Sequence, residues 1–191
     1  MNEINKCIEL LEKDKVLLLP TETVYGLICD YKSKEGRDKM YQIKQRDKNN
    51  LFQMLISDIS MLESFDVELT EPLKKLIDKF CPGAITIVVS QKNGDTIGFR
   101  IPKHDFILNL ICKYGKPLAA TSANISGNPA ALSIEQALAD FADIKPDYYV
   151  DMGMIDNNSL ASTVVQKIDN EIHILREGMI SKKEIFKTLK Q

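Results

Sequence analysis

Leu17–Asp30, LLLPTETVYGLICD, is the stretch whose reading decides the fold. Its apolar start, Val16–Leu19, is too short for a helix and suits a buried strand. Pro20 ends that strand, because it has no N–H to give to a ladder. Thr21, Glu22, Thr23, Tyr25 and Gly26 then read as a hydroxyl-rich loop at the end of a buried strand. Open α/β sheets bind small molecules in such crevices. An ordinary strand and turn with solvated threonines would read the same way, so other segments must supply matching chemistry.

Working outward, 191 residues suffice for one domain with a sizeable core, and the expectation is a single domain over residues 1–191. The net charge of −2 is not that of a protein built globally for nucleic acid, so any polyanion must meet a local cluster of cations. The polar N-terminal segment MNEINKCIELLEKDK lacks the character of a signal peptide. No apolar run approaches the roughly 20 residues that span a bilayer. Cys7, Cys29, Cys81 and Cys112 form no C-x-x-C pair and read as free thiols in a reducing cytoplasm. Two histidines give no His-rich metal site. Of 25 cationic side chains only Arg37, Arg46, Arg100 and Arg176 are arginines. Where Lys is the default, an Arg points to a need for the planar, bidentate fork.

Along the chain, helices are expected at 3–13, from a cap at Ser33 to about Lys44, from Thr70 to Phe80, from a cap at Asp105 to about Tyr114, over 133–141 with Ser133 as its cap and over 181–189, with a short one after Asp58 or Ser60. Strands are expected at 52–57, 84–90, 96–101, 118–121, 148–150, 162–166 and 172–175. Lys92-Asn93-Gly94-Asp95 has the residues of a hairpin turn, so the alternating helices and strands belong to a mixed sheet in an α/β (α+β) architecture.

Four polar sets fall at strand ends or loops: Thr21/Thr23/Tyr25, Lys44/Arg46, Ser122/Asn124 and Arg176. Arg100 sits among apolar neighbours and must either snorkel or pair with an anion. Each alone has a plain explanation: a solvated helix end, a turn, a surface cation. Together they supply ammonium and guanidinium donors with short hydroxyl and amide groups, and neither a metal cage nor paired carboxylates. That inventory suits a phosphate-rich substrate whose reaction depends on positioning and charge stabilisation. No G-x-x-x-x-G-K-[ST], G-x-G-x-x-G or G-x-S-x-G occurs, which argues against a P-loop, a dinucleotide fold and a serine hydrolase.

PTETVYGL, KQR, CPGAIT, GFRIP, TSANISGNP, AST and LREG occur in that order between Val16 and Gly178. In order and approximate spacing they resemble the YrdC-like family, which contains the threonylcarbamoyl-AMP synthases of tRNA modification. The resemblance implies a twisted mixed sheet flanked by helices, with a large, locally positive concave groove. It implies formation of threonylcarbamoyl-adenylate and pyrophosphate from L-threonine, bicarbonate and ATP in the cytoplasm. The metal would be Mg²⁺ carried with ATP, with no protein side chain as ligand, and a separate transferase complex would act downstream on tRNA. Matched position by position, Lys44, Arg46, Ser122 and Asn124 belong to the catalytic, phosphate-lining set. Thr23, Arg100 and Ser162 fall on the threonine side, and Arg176 and the more loosely matched Thr96 on the ATP side. Asp47, Asn50-Leu51-Phe52 and Cys81 depart from the family pattern, which bears on amino-acid specificity.

Two alternatives share these features. One is a groove that holds RNA without catalysis; the absence of Trp and of interleaved aromatic and basic residues speaks against it and for weak or no direct RNA binding. The other is a paralogue that makes a different acyl-adenylate.

Overall fold

The computed structural model describes residues 2–169 and 171–190; Met1, Asn170 and Gln191, which the 1–191 domain reading includes, lie outside them. The strand expected at Val16–Leu19 is β1 (Leu17–Leu19), and all three leucines are fully buried. Strand alternation sends Leu17 and Leu19 to one face and Val16 and Leu18 to the other, so helices must cover both. The second half of the opening stretch departs from the loop reading. Gly26–Asp30 is β2, antiparallel to β1, with Leu17 opposite Ile28 and Leu19 opposite Gly26. Its residues are buried on both faces, so no polar alternation marks it in sequence. Thr21–Tyr25 is thus the connection between two adjacent buried strands.

The remaining elements are α1 (Glu3–Leu11), α2 (Lys34–Lys44), β3 (Gln53–Leu55), a 3-10 helix at Ile59–Phe65, α3 (Glu71–Phe80), β4 (Ile85–Ser90), β5 (Thr96–Arg100), α4 (Asp105–Tyr114), β6 (Leu118–Ser122), α5 (Ile134–Asp140), β7 (Tyr148–Tyr149), β8 (Thr163–Ile168), β9 (Glu171–Arg176) and α6 (Lys182–Leu189). Among the described residues the strands form one mixed sheet in the order β7-β1-β2-β6-β3-β5-β4-β8-β9. The pairs β1/β7, β3/β5 and β4/β8 are parallel and the others antiparallel. Ser33 and Ser133 cap α2 and α5 as expected, each accepting from a backbone N–H three residues on. Asp105 does not cap α4: His104 holds that position without a side-chain bond, and Asp105 lies in the first turn, where its charge meets the helix dipole.

Three apolar layers hold the sheet. Helices α1 and α4 cover one face of β1, β2 and β6 through Cys7, Leu11, Ile107, Leu110 and Ile111. On the other face, Met40 and Ile43 of α2 and Ile134 and Ala137 of α5 pack on Leu18, Leu27 and Cys29. Beyond β3, Leu73, Leu76 and Ile77 of α3 and Ile185 of α6 pack on Ile85, Ile87, Val89, Ile97 and Phe99. The intervening positions of β4 and β5, namely Thr86, Val88, Thr96, Gly98 and Arg100, line a cavity instead. No described helix is long and apolar enough to cross a membrane.

One buried polar group ties α4 to the connection between β2 and α2. Asp30, at the end of β2, accepts from the Tyr114 hydroxyl at 2.6 Å and from the backbone N–H groups of Lys32 and Ser33. Burial, and then the bond to Asp30, push the Tyr114 phenol's pKa up, so it stays a donor. Tyr114→Phe leaves one carboxylate oxygen without its partner. The expected cost is about 1–3 kcal/mol in unfolding free energy, read as a lower urea midpoint at unchanged slope; an unchanged midpoint would show that water reaches Asp30.

Candidate functional site

The K-x-R spacing works because α2 ends between the two cations. Lys44 is the last helical residue, Gln45 takes a left-handed conformation at φ 49°, and Arg46 leaves the helix in a new direction. Lys44 is 2% exposed and turns inward. Its ammonium donates to the carbonyl oxygens of Ser122 at 2.6 Å and Asn124 at 2.7 Å, with Asn124 Oδ1 at 3.4 Å. Three donors thus meet three acceptors on one loop. Burial, then the charge of Arg46, lower the Lys44 pKa to about 8. The Asn124 amide is also turned to the loop, donating to the carbonyls of Ile125 and Asn128, both at 2.8 Å. Lys44 and Asn124 therefore frame the 122–128 segment.

Arg46 points elsewhere. Its guanidinium lies 5.7 Å from the centre of the Phe52 ring, with long donor contacts of 3.4 Å to the Thr121 hydroxyl and the Leu51 carbonyl. Together with Ser122 it lines both of two adjoining cavities. The larger in lining occupies about 340 Å³ over strands β3, β5, β4 and β8, and takes in Thr23, Thr96, Arg100, Ser162 and Arg176. The other, about 360 Å³, is bounded by Lys44, Arg46, Ser122 and Asn124. All nine sequence-predicted site residues line one or both. Three of the chain's four arginines share the first cavity, whose lining has no Asp or Glu. Burial, then the charges of Arg100 and Arg46, lower the Arg176 pKa, as expected where guanidinium groups converge.

Arg100, 2% exposed, is held on three sides. Nε donates to the Gly83 carbonyl at 3.1 Å and Nη1 to the Thr23 hydroxyl at 3.1 Å. Nη2 lies 2.7 Å from Glu22 Oε1 but off the line of its N–H bonds, an ion pair without an aligned hydrogen bond. The Cys81-Pro82-Gly83 break needs its glycine, since a Cβ at Gly83 would collide with the Phe80 carbonyl oxygen. Arg176 donates through Nε and Nη2 to the Ser162 carbonyl, at 3.1 and 2.8 Å, and through Nη2 to the Ser162 hydroxyl at 3.2 Å. The Ser162 hydroxyl lies 2.8 Å from that of Thr86, which donates to Gln53 Oε1 at 2.7 Å.

Glu22, Gln53, Thr86 and Thr121 are the site residues that sequence reasoning passed over. Glu22, Thr86 and Thr121 lie inside PTETVYGL, CPGAIT and TSANISGNP, so the motifs contained them without marking them. Gln53 follows the segment that departs from the family pattern and carries no signal of its own. Among the described residues no three His, Cys, Asp or Glu side chains group closely enough to hold a metal ion.

Comparison with known proteins follows this geometry. The family model for Sua5, YciO and YrdC, described as "Telomere recombination", matches residues 9–178. The chain is 34% identical over 193 residues to the threonylcarbamoyl-AMP synthase of Bacillus subtilis, covering 96% of this chain and 55% of that protein. It is 32% identical over 180 residues to the threonylcarbamoyl-AMP synthase of Pseudoalteromonas translucida, covering 88% of this chain and 95% of that one. The crystal structure of P. abyssi Sua5 complexed with L-threonine superposes with a TM-score of 0.89 at 29% identity, over 97% of this chain and 57% of that one. The chain thus spans little more than half the length of the B. subtilis and P. abyssi proteins. E. coli YciO, at 23% identity and a TM-score of 0.82, shares the fold. With a family model covering most of its length and relatives above 30% identity, the chain belongs to the Sua5/YciO/YrdC family.

Proposed function

We propose that this protein is an L-threonylcarbamoyladenylate synthase, a nucleotidyltransferase that forms threonylcarbamoyl-AMP and pyrophosphate from L-threonine, bicarbonate and ATP. The observation that carries the reading is the convergence of Arg46, Arg100 and Arg176 on a cavity without an acid in its lining. Relatives named threonylcarbamoyl-AMP synthase and a threonine-bound relative support the choice of substrate.

The chemical difficulty is an anion attacking an anion. A carbamate oxygen formed from the threonine amine and bicarbonate must reach the α-phosphorus of ATP, while pyrophosphate leaves on the opposite side. Fixed cations lower that barrier by meeting charge where it develops. Arg46 and Ser122, at the junction of the two cavities, are suited to the phosphates; the family resemblance assigns Thr96 and Arg176 to the nucleotide as well. Lys44 and Asn124 act one step removed, by holding the backbone that carries Ser122. Thr23, Arg100 and Ser162 take the amino acid, and Arg100 can meet its carboxylate with a fork that Lys cannot reproduce. Mg²⁺, carried as part of the ATP substrate, would screen the phosphates. The product, a mixed anhydride, passes to a downstream tRNA-threonylcarbamoyl transferase complex in the cytoplasm. With a net charge of −2, the chain itself binds RNA weakly or not at all.

The test is product identification. Incubation with ATP, Mg²⁺, bicarbonate and a panel of amino acids is expected to give threonylcarbamoyl-AMP by mass spectrometry. Pyrophosphate release should require both threonine and bicarbonate. Release that proceeds equally without threonine, or with glycine in its place, overturns the reading.

Arg46→Ala is expected to lower turnover by a factor on the order of 10²–10³ in a folded protein, the usual loss for a donor aimed at developing charge. Lys44 should show itself differently. Below its pKa of about 8 the ammonium keeps all three donors on the 122–124 carbonyls, and above it the amine has one fewer. Activity is therefore expected to fall as pH rises through about 8. In Lys44→Met the remaining activity should lose that limb. A wild-type profile flat to pH 9.5 would count against this.

Arg100→Lys should raise the threonine KM by one to two orders of magnitude, the range of a charge-assisted hydrogen bond of about 1.5–3 kcal/mol, and leave the ATP KM nearly unchanged. A lowered melting temperature with an unchanged threonine KM would reduce Arg100 to an internal partner of Glu22.

A further inference from the structure

We propose that Gln53 is a positioning residue that fixes the direction of the hydroxyl protons on Thr86 and Ser162, so that Ser162 offers the amino-acid substrate an acceptor and never a donor. The inference rests on the reaction proposed above and goes beyond it, to a residue outside the matched motifs and to the kind of group that Ser162 recognises.

The four residues form an unbroken chain across the cavity floor, and all of them line it. Gln53 Oε1 accepts from Thr86 Oγ1 at 2.7 Å, Thr86 Oγ1 and Ser162 Oγ are 2.8 Å apart, and Arg176 Nη2 donates to Ser162 Oγ at 3.2 Å. A hydroxyl has one proton and two lone pairs. Thr86 spends its proton on the Gln53 carbonyl, so between Thr86 and Ser162 only Ser162 can be the donor. The Ser162 proton is thereby committed to Thr86. One of its lone pairs faces the Arg176 guanidinium, which can only donate. The second lone pair is what remains for a ligand. Ser162 is 2% exposed and Thr86 4%, so water does not scramble the order.

The substrate group that meets Ser162 must therefore donate. The amine and the side-chain hydroxyl of threonine both qualify, whereas a carboxylate or phosphate oxygen does not. Sites that hydrogen-bond a substrate group reject analogues lacking it, because their own polar atoms are then left unpaired. Without the Gln53 acceptor, the Thr86 proton can turn to Ser162. The Ser162 proton is then displaced into the cavity and meets the substrate's donor head-on.

The test measures threonine binding by calorimetry, independently of turnover, in the wild type, Gln53→Leu, Gln53→Glu, Thr86→Val and Thr86→Ser, with melting temperatures taken in parallel. Gln53→Leu and Thr86→Val are expected to weaken threonine binding about tenfold, the equivalent of roughly 1.4 kcal/mol. Gln53→Glu, whose carboxylate can only accept, and Thr86→Ser, which keeps the hydroxyl, should return it to within about threefold of wild type. L-2-Aminobutyrate identifies the donor. If it is the hydroxyl, wild type binds the analogue much more weakly than threonine and Gln53→Leu closes that gap; if it is the amine, both ligands lose equally. Three results overturn the proposal: Gln53→Leu melting lower while binding threonine normally, Gln53→Glu binding as poorly as Gln53→Leu, or wild type binding no threonine. The last also removes the proposed reaction, whereas the first two leave it standing.

Discussion

Three guanidinium groups share one concave wall, and their mutual repulsion is the constraint to which the rest of the site answers. Arginine stays protonated in proteins, so the repulsion cannot be relieved by losing a proton and must be held by acceptors. Each arginine is anchored on a different main-chain carbonyl: Arg46 on Leu51, Arg100 on Gly83 and Arg176 on Ser162. A carbonyl fixes a guanidinium without cancelling its charge. The lining is therefore preorganised without an acid of its own, and Glu22, the partner of Arg100, stands outside it. Sheet geometry makes this possible. Phe99 and Ile97 carry β5 into the apolar layer under α3 and α6, and strict alternation leaves Arg100 no choice but the opposite side.

Much of this was legible in the sequence where local chemistry decides structure. The caps at Ser33 and Ser133, the hairpin at Lys92–Asp95 and the alternation around Arg100 are all properties of neighbouring residues. The scarcity of arginine was a usable signal, since Arg46, Arg100 and Arg176 do share one cavity and Arg37 is not among its lining residues. β2 was not legible, because Pro20 and Gly26 punctuate the stretch and a doubly buried strand shows no period-two polarity. Gln53 could not have been found either. Its partner Thr86 lies 33 residues away, and Thr86 meets Ser162 across another 76.

Hydrogen-bond geometry adds what a charge inventory lacks. Lys44, Arg46, Ser122 and Asn124 read as four equivalent phosphate donors, yet the structure divides them. Lys44 and Asn124 line the second cavity and satisfy loop carbonyls, while Arg46 and Ser122 line both cavities. The division follows from a single left-handed residue. With Gln45 at φ 49°, the helix stops between its two cations and sends them in different directions. A buried ammonium with a pKa near 8 holds a loop through directed hydrogen bonds, and its role is set by geometry as much as by charge.

The three arginines are not compensated alike. The Arg100 guanidinium has Glu22 at 2.7 Å, outside the cavity lining, which offsets part of its charge. Elsewhere Arg46 and Arg176 are matched only by neutral carbonyls and hydroxyls. A zwitterionic amino acid gains most beside a cation that is partly offset, since its carboxylate finds a partner while its amine is repelled less. A triphosphate gains most where cations are uncompensated. In the proposed reaction this difference favours the amino acid beside Arg100. A net charge of −2 is compatible with the proposed nucleotide site, because the cations that matter there are local. The three guanidinium groups are fixed by their own backbone inside one cavity, and salt confines the reach of such charges to about 10 Å.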